Sequence, residues 1–126
     1  MAAKKTILII EQELNLANGL KAILEKEGYA VVTDAYYLHP GNAKSDQAPD
    51  LAILDIYMPQ EFGLNILRKI KSDYPSLPVI AMSVYSHSLS RDEIKRFGGD
   101  DFIIKPFEVE YLKKKIEELL ATNQRT

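Results

Sequence analysis

The chain has 126 residues, 46% of them hydrophobic and 27% charged, which suits one globular domain with its own core and excludes two. A net charge of -2 gives no basic footprint for nucleic acid, and the absence of cysteine excludes disulfide staples, thiolate metal sites and a thiol nucleophile. Met1-Ala2-Ala3-Lys4-Lys5 leads into only four consecutive apolar residues, Ile7 to Ile10, too few for a signal-peptide core or a spanning helix. The expectation is one domain over residues 1–126 in the cytoplasm, away from membranes.

Taken in order, the chain alternates between two periodicities. Thr6 to Ile10 is a short β-branched run, and Leu16, Leu20, Ile23 and Leu24 follow helical spacing until Gly28. Tyr29 to Thr33 reads as a second strand. From Tyr36 to Pro49 the chain turns polar and carries Pro40 and Gly41, so a short or irregular connection is predicted. Leu51 to Asp55 is a third strand, apolar on both faces as in a parallel sheet covered by helices.

Gly63 to Ser72 carries Leu64, Leu67 and Ile70 on one face and closes at Tyr74-Pro75. Pro78 to Met82 is a fourth strand. Ser90-Arg91-Asp92-Glu93 has capping-box spacing and opens a helix to Phe97, ended by Gly98-Gly99. Asp100 to Ile104 is a fifth strand, and the last helix runs from about Glu108 to Leu120 with Val109, Leu112, Ile116 and Leu119 inward. Such alternation with short links predicts right-handed crossovers and a doubly wound α/β sheet flanked by helices.

In that architecture the carboxyl ends of the strands share one edge, where ligands bind. They carry Glu11 and Gln12, Asp55, Ser83 and Lys105. Paired acids suit a small hard cation such as Mg²⁺, while a lysine and a hydroxyl suit an anion. Side by side they point to a phosphoryl group. A carboxylate such as Asp55 can attack phosphorus to form an aspartyl phosphate, provided cations and N–H groups offset the negative charges that meet there.

Each residue alone has an ordinary reading: Asp55 as a turn cap, Glu11 as a solvated strand end, Ser83 and Lys105 as common surface residues. Asp55 is followed by Met58-Pro59 rather than directly by a helix, which weighs against capping; for the others, joint placement carries the signal. His39 and His87 have no third ligand and read as exposed loop residues, and Lys113 to Lys115 reads as a solvated helix face.

Ile7-Leu8-Ile9-Ile10-Glu11, Pro49-Asp50-Leu51 through Asp55, Met58-Pro59 with Gly63, Ser83, Gly98-Gly99-Asp100-Asp101 and Lys105-Pro106-Phe107 together make the chain resemble a response-regulator receiver domain of bacterial two-component systems, over nearly its whole length. The resemblance implies a five-stranded sheet in the order 2-1-3-4-5, Asp55 as phosphoacceptor, Lys105 as the phosphoryl-contacting lysine, Ser83 as the switch hydroxyl and Phe102 as the switch aromatic. It implies a cis Lys105-Pro106 peptide. It implies a Mg²⁺ site from Glu11, Gln12, Asp55 and the Tyr57 carbonyl, with Gln12 weakened because an amide stands where the family has its second acid.

The other departure lies between Tyr36 and Pro49, where the family has a regular helix. Two readings stand: a shortened or displaced segment, with Tyr36, Tyr37 and Leu38 covering part of the sheet instead, or a distorted but present helix. The implied partners are a histidine kinase or phosphotransfer protein, an output domain or downstream protein, and a second copy of the chain, with no direct nucleic-acid contact and no membrane. The activity would be that of a switch, at most self-phosphorylating from phosphodonors and dephosphorylating itself. The alternative is a pseudo-receiver working as an interaction or dimerisation module without phosphorylation. A flavin site would want a hydroxyl- and glycine-rich loop where Glu11-Gln12-Glu13 stands, and a haloacid-dehalogenase phosphatase would want an acid in place of Tyr57.

Overall fold

The structure is a computed structural model and describes residues 4–38, 48–56, 60–84 and 91–123. Five parallel strands, β1 (Thr6–Ile10), β2 (Ala30–Thr33), β3 (Leu51–Asp55), β4 (Val79–Ser83) and β5 (Asp101–Ile104), form one sheet in the order β2-β1-β3-β4-β5. Four helices are described: α1 (Leu14–Lys26), α2 (Gln60–Asp73), α3 (Arg91–Arg96) and α4 (Val109–Asn123). Among the described residues no helix is long and apolar enough to cross a membrane.

Every residue of β1, β3 and β4 is buried, as the unbroken apolar runs require when both faces are covered. One face packs Ile7, Ile9, Ile53 and Met82 against Leu20 and Leu24 of α1 and Leu112 and Ile116 of α4. The opposite face packs Leu8, Ile10, Leu54 and Ala81 against Ile66, Leu67 and Ile70 of α2 and Ile94 of α3. Each fully buried Leu or Ile contributes about 1.5–3 kcal/mol, so these two layers dominate the stability. Among the described residues, two helix starts differ from the periodic reading. Helix α1 begins at Leu14 because the Glu13 carboxylate caps it, and α2 begins at Gln60 ahead of Gly63; on α4 Leu120 is buried and Leu119 packs, partly buried, beside it. The capping box at Ser90 lies outside the described residues.

The strand starts are pinned by carboxylates. Asp50 Oδ2 accepts the Thr6 N–H at 2.7 Å while Asp50 N donates to Thr6 O, and Asp100 Oδ2 accepts the Val79 N–H at 2.8 Å while Asp100 N donates to Val79 O. Each aspartate immediately precedes one strand and holds the first residue of its neighbour. Lys71 reaches the same corner, donating to Leu77 O at 2.6 Å.

The lysine run on α4 differs from a purely solvated face. Lys113 sits 3.1 Å from Glu27 at the end of α1, and Lys115 sits 3.1 Å from Asp101 of β5. Lys114 is exposed.

After β2 the chain does something that composition alone does not show. Tyr37 adopts a left-handed conformation, φ 55°, and is buried against the Leu8–Ile10 face, its hydroxyl donating to Asp73 Oδ2 at 2.6 Å. Tyr36 stays at the surface and stacks on Phe62 at 6.5 Å between ring centroids. Leu38 is 68% exposed, so of the three residues expected to cover the sheet, only Tyr37 does. Of the irregular connection predicted from Tyr36 to Pro49, residues 39–47 lie outside the described residues.

Burial first, then the Asp73 hydrogen bond and charge, raise the Tyr37 phenol above its ordinary 10.0. Its contribution to stability is therefore present below pH 10 and is lost as pH rises beyond it. Tyr37→Phe is expected to cost about 1 kcal/mol near neutrality. The wild type alone should then lose roughly 1.4 kcal/mol by about pH 11, so that the gap vanishes and slightly reverses, read by urea unfolding at both pH values. A gap independent of pH would mean that the hydroxyl titrates freely in the fold.

Candidate functional site

The register places the predicted residues together. Ile10 pairs with Leu54, Asp55 with Met82 and Ser83 with Ile104, so the residues that end β1, β3, β4 and β5 meet at one edge. Glu11 is 4% exposed, Asp55 7% and Ser83 3%, unusual burial for two acids and a hydroxyl. The Ile56 N–H donates to Met82 O at 2.7 Å and the Lys105 N–H to Ser83 O at 2.9 Å, fixing the backbone around both reactive positions. Gly63 brings α2 against this edge: a Cβ there would lie 3.0 Å from Ile56 Cα, so any larger residue would push the helix away from the residue that follows Asp55.

Lys105 is the centre of the charge arrangement. Its ammonium lies 3.0 Å from Asp55 Oδ1 and 3.1 Å from Glu11 Oε1. The second Glu11 oxygen accepts the Glu13 N–H at 3.0 Å. Two carboxylates against one ammonium leave the cluster one unit negative. Burial raises the Glu11 carboxyl above its ordinary 4.5, with Asp55 adding to the rise while the Glu13 N–H and Lys105 oppose it. Burial opposes the charge on Lys105, but the Asp55 hydrogen bond and charge, then Glu11, hold the ammonium above its ordinary 10.5.

Gln12 bridges two strand ends. Its Nε2 donates to Ala35 O at 2.7 Å, beyond β2, while its Oε1 is buried with no hydrogen-bond partner among the described residues. A buried acceptor left unfilled is costly, and a hard cation or its water is what such an oxygen takes. Glu11 and Asp55, gathered on one ammonium, supply oxygens of the kind a Mg²⁺ ion takes with several waters retained, and Gln12 Oε1 is a further oxygen of that kind. Glu13 is committed elsewhere, its Oε1 accepting the Leu16 N–H at 2.6 Å as the cap of α1. Among the described residues no three His, Cys, Asp or Glu side chains cluster for a metal, so the cation would rest on two carboxylates and an amide. The Tyr57 carbonyl, His39 and His87 lie outside the described residues.

Phe102 is 4% exposed, packed inward on the Leu54 face. Lys105-Pro106 is cis, as the resemblance implies. The sequence reading missed the Gln12 to Ala35 bond and the Glu13 cap. Nothing in an alanine's identity signals that its carbonyl will be used, and glutamate is an uncommon helix cap.

The sheet order and the gathering of charged groups at its carboxyl edge define the doubly wound α/β class in which strand ends carry the chemistry. Residues 7–117 match the response regulator receiver domain, and the chain belongs to that family. It is 31% identical over 115 residues to the "Probable transcriptional regulatory protein TcrX" of Mycobacterium tuberculosis, covering 91% of this chain and 49% of that protein. It is 31% identical over 123 residues to the virulence transcriptional regulatory protein PhoP of Salmonella typhimurium, covering 93% of this chain and 52% of that one.

The chain therefore spans about half the length of the curated relatives it matches. Among solved structures, a CheY-like receiver domain protein from Methanospirillum hungatei superposes with a TM-score of 0.83 at 28% identity, covering 98% of both chains. The response regulator TrrA of Thermotoga maritima, solved in complex with Mg²⁺ and BeF, superposes with a TM-score of 0.75 at 30% identity, covering 91% of this chain and 98% of that one.

Proposed function

We propose that the chain is a phospho-accepting switch, a single receiver domain over residues 1–126, with Asp55 as the acceptor. The observation that carries this reading is the buried Asp55 carboxylate held 3.0 Å from Lys105, with Glu11 on the same ammonium. A solvated surface acid has no need of that arrangement.

In the step so assigned, a carboxylate oxygen of Asp55 attacks the phosphorus of a phosphohistidine on a histidine kinase or phosphotransfer protein. The new P–O bond forms as the P–N bond breaks. Its electron pair goes to the imidazole nitrogen, which takes a proton from water. Lys105 shifts from the free carboxylates to the phosphoryl oxygens, and Ser83 donates its hydroxyl to one of them. Bound Mg²⁺ would supply the positive charge that lets two negatively charged groups meet, and Glu11, Asp55 and Gln12 Oε1 would hold it.

With Ser83 drawn toward the phosphoryl group, Phe102 changes its packing and the surface of α3, β5 and α4 changes with it. That surface then meets an output domain, a downstream protein or a second copy of the chain. The chain contacts no nucleic acid itself. The TcrX and PhoP relatives are named as transcriptional regulators, so an output on DNA would come from a segment or partner outside these residues. A cytoplasmic site of action follows from a kinase partner.

Treating the chain with acetyl phosphate and Mg²⁺ should add one phosphoryl mass, placed on Asp55 by fragmentation. No such mass, even with a cognate kinase supplied, would overturn the switch. That result would favour a phosphorylation-independent interaction module, the second reading, for which Gln12 in place of an acid is the specific observation.

A further inference from the structure

Gln12 belongs to two neighbourhoods at once. It directly follows Glu11, which shares the Lys105 ammonium with Asp55, and its amide nitrogen is fixed on the carbonyl of Ala35. The acceptor at Ala35 settles which end of the amide is which: a carbonyl needs the NH₂ group, so Oε1 is the end left buried and unfilled.

Ala35 in turn opens a short turn that grips α2 near both ends. The Tyr36 N–H rests on Asp34 Oδ1 at 3.4 Å and its ring stacks on Phe62 in the first turn of α2. Tyr37, held in a left-handed conformation, reaches Asp73 in the last turn. Between them these two adjacent tyrosines span most of the helix that begins shortly after Asp55.

The geometry points to Gln12 as the link that couples divalent-cation occupancy of the acid pocket to the Tyr36-Tyr37 turn, making the turn and the α2 face it grips a cation-responsive surface. This rests on the reading of Glu11 and Asp55 as a cation site. A cation or its water at Oε1 fixes the amide in the one orientation that also donates to Ala35, so filling the pocket holds the turn. By linkage, whatever loosens the turn weakens the pocket by the same factor. A carboxylate at position 12 could not make this connection, because it has no N–H to give to Ala35. The device therefore depends on the residue by which this chain departs from the family pattern.

The test titrates Mg²⁺ alone into the full isotope-labelled chain and follows two sets of nuclear resonances. The Ile56 amide, next to Asp55, reports binding, and the Tyr36 to Leu38 amides report the turn. In the wild type both sets should follow one titration curve, with amide exchange across the turn slowed about fivefold or more at saturation. In Gln12→Leu, which removes both the cation's amide oxygen and the Ala35 bond, the Ile56 response should move to higher Mg²⁺ concentration and the turn should no longer respond at any.

Tyr37→Phe, a mild change that removes only the Asp73 contact, should raise the Mg²⁺ dissociation constant about fivefold. Movement at Ile56 without any at Tyr36 to Leu38 in the wild type would overturn the coupling and leave the cation site standing, as would an unchanged dissociation constant in Tyr37→Phe. An Ile56 amide silent at every Mg²⁺ concentration would remove the cation site and the coupling together.

Discussion

Lys105→Met is expected to destabilise the metal-free protein by about 3 kcal/mol, among the largest costs available to a single substitution outside the apolar core. The stem is nearly isosteric, so little packing is lost. What changes is that Glu11 and Asp55, both under a tenth exposed, lose the cation that lies 3.1 Å and 3.0 Å from them. Two buried carboxylates then face each other without compensation, and breaking such a cluster costs more than making it gained.

Two controls separate this from a general effect of the substitution. The same change in a Glu11→Gln background should cost markedly less, because one of the repelling charges is gone. The loss should also shrink as pH falls, because the Glu11 carboxyl, already raised by burial, takes up a proton more readily than an ordinary glutamate and relieves the repulsion. Urea unfolding with chelator present measures each arm. A loss below about 1 kcal/mol at neutral pH would show that the carboxylates are solvated or already neutral and that Lys105 does not hold the cluster together.

Gln12→Asp is the second. It should tighten Mg²⁺ binding about tenfold or more, measured by calorimetry on the full chain. Two unit charges ~4 Å apart interact by roughly 1 to 4 kcal/mol as screening varies, and the lower part of that range already corresponds to tenfold. The pocket as it stands carries one net negative charge, and the substitution adds a second where Gln12 now offers a neutral oxygen. The same change removes the N–H that holds Ala35, so tighter metal binding should come with a looser Tyr36-Tyr37 turn. Unchanged Mg²⁺ affinity would place residue 12 outside the cation site.

The strands were legible because a strand buried on both faces has to be apolar throughout: Ile7 to Ile10, Leu51 to Leu54 and Val79 to Met82 have no other stable use. Legibility of the edge followed from topology, since each strand places its next polar residue on the same side of the sheet. That rule brought Glu11, Asp55, Ser83 and Lys105 together in the sequence reading, and the register brings them together in the structure.

The sequence reading placed Tyr37 over the sheet but reached neither its backbone conformation nor its hydroxyl partner. A left-handed tyrosine is disfavoured locally and is held by tertiary contacts, here the buried face and Asp73, the latter 36 residues further along the sequence. Periodicity also could not separate Lys113 and Lys115 from a solvated face. Their partners, Glu27 and Asp101, lie on other elements.

The aspartates that pin the strand starts have a consequence for what this protein can tolerate. Asp50 fixes β3 against β1, and Asp100 fixes β5 against β4, from the end of the sheet opposite the acid cluster. Alignment of the strands is thus specified without help from the residues of the acid cluster. A change at position 12 alters affinity and coupling but does not let a strand slip by one residue, which would turn every core side chain outward. The division leaves the reactive edge open to variation, so that related chains can trade an acid for an amide there and keep the same scaffold.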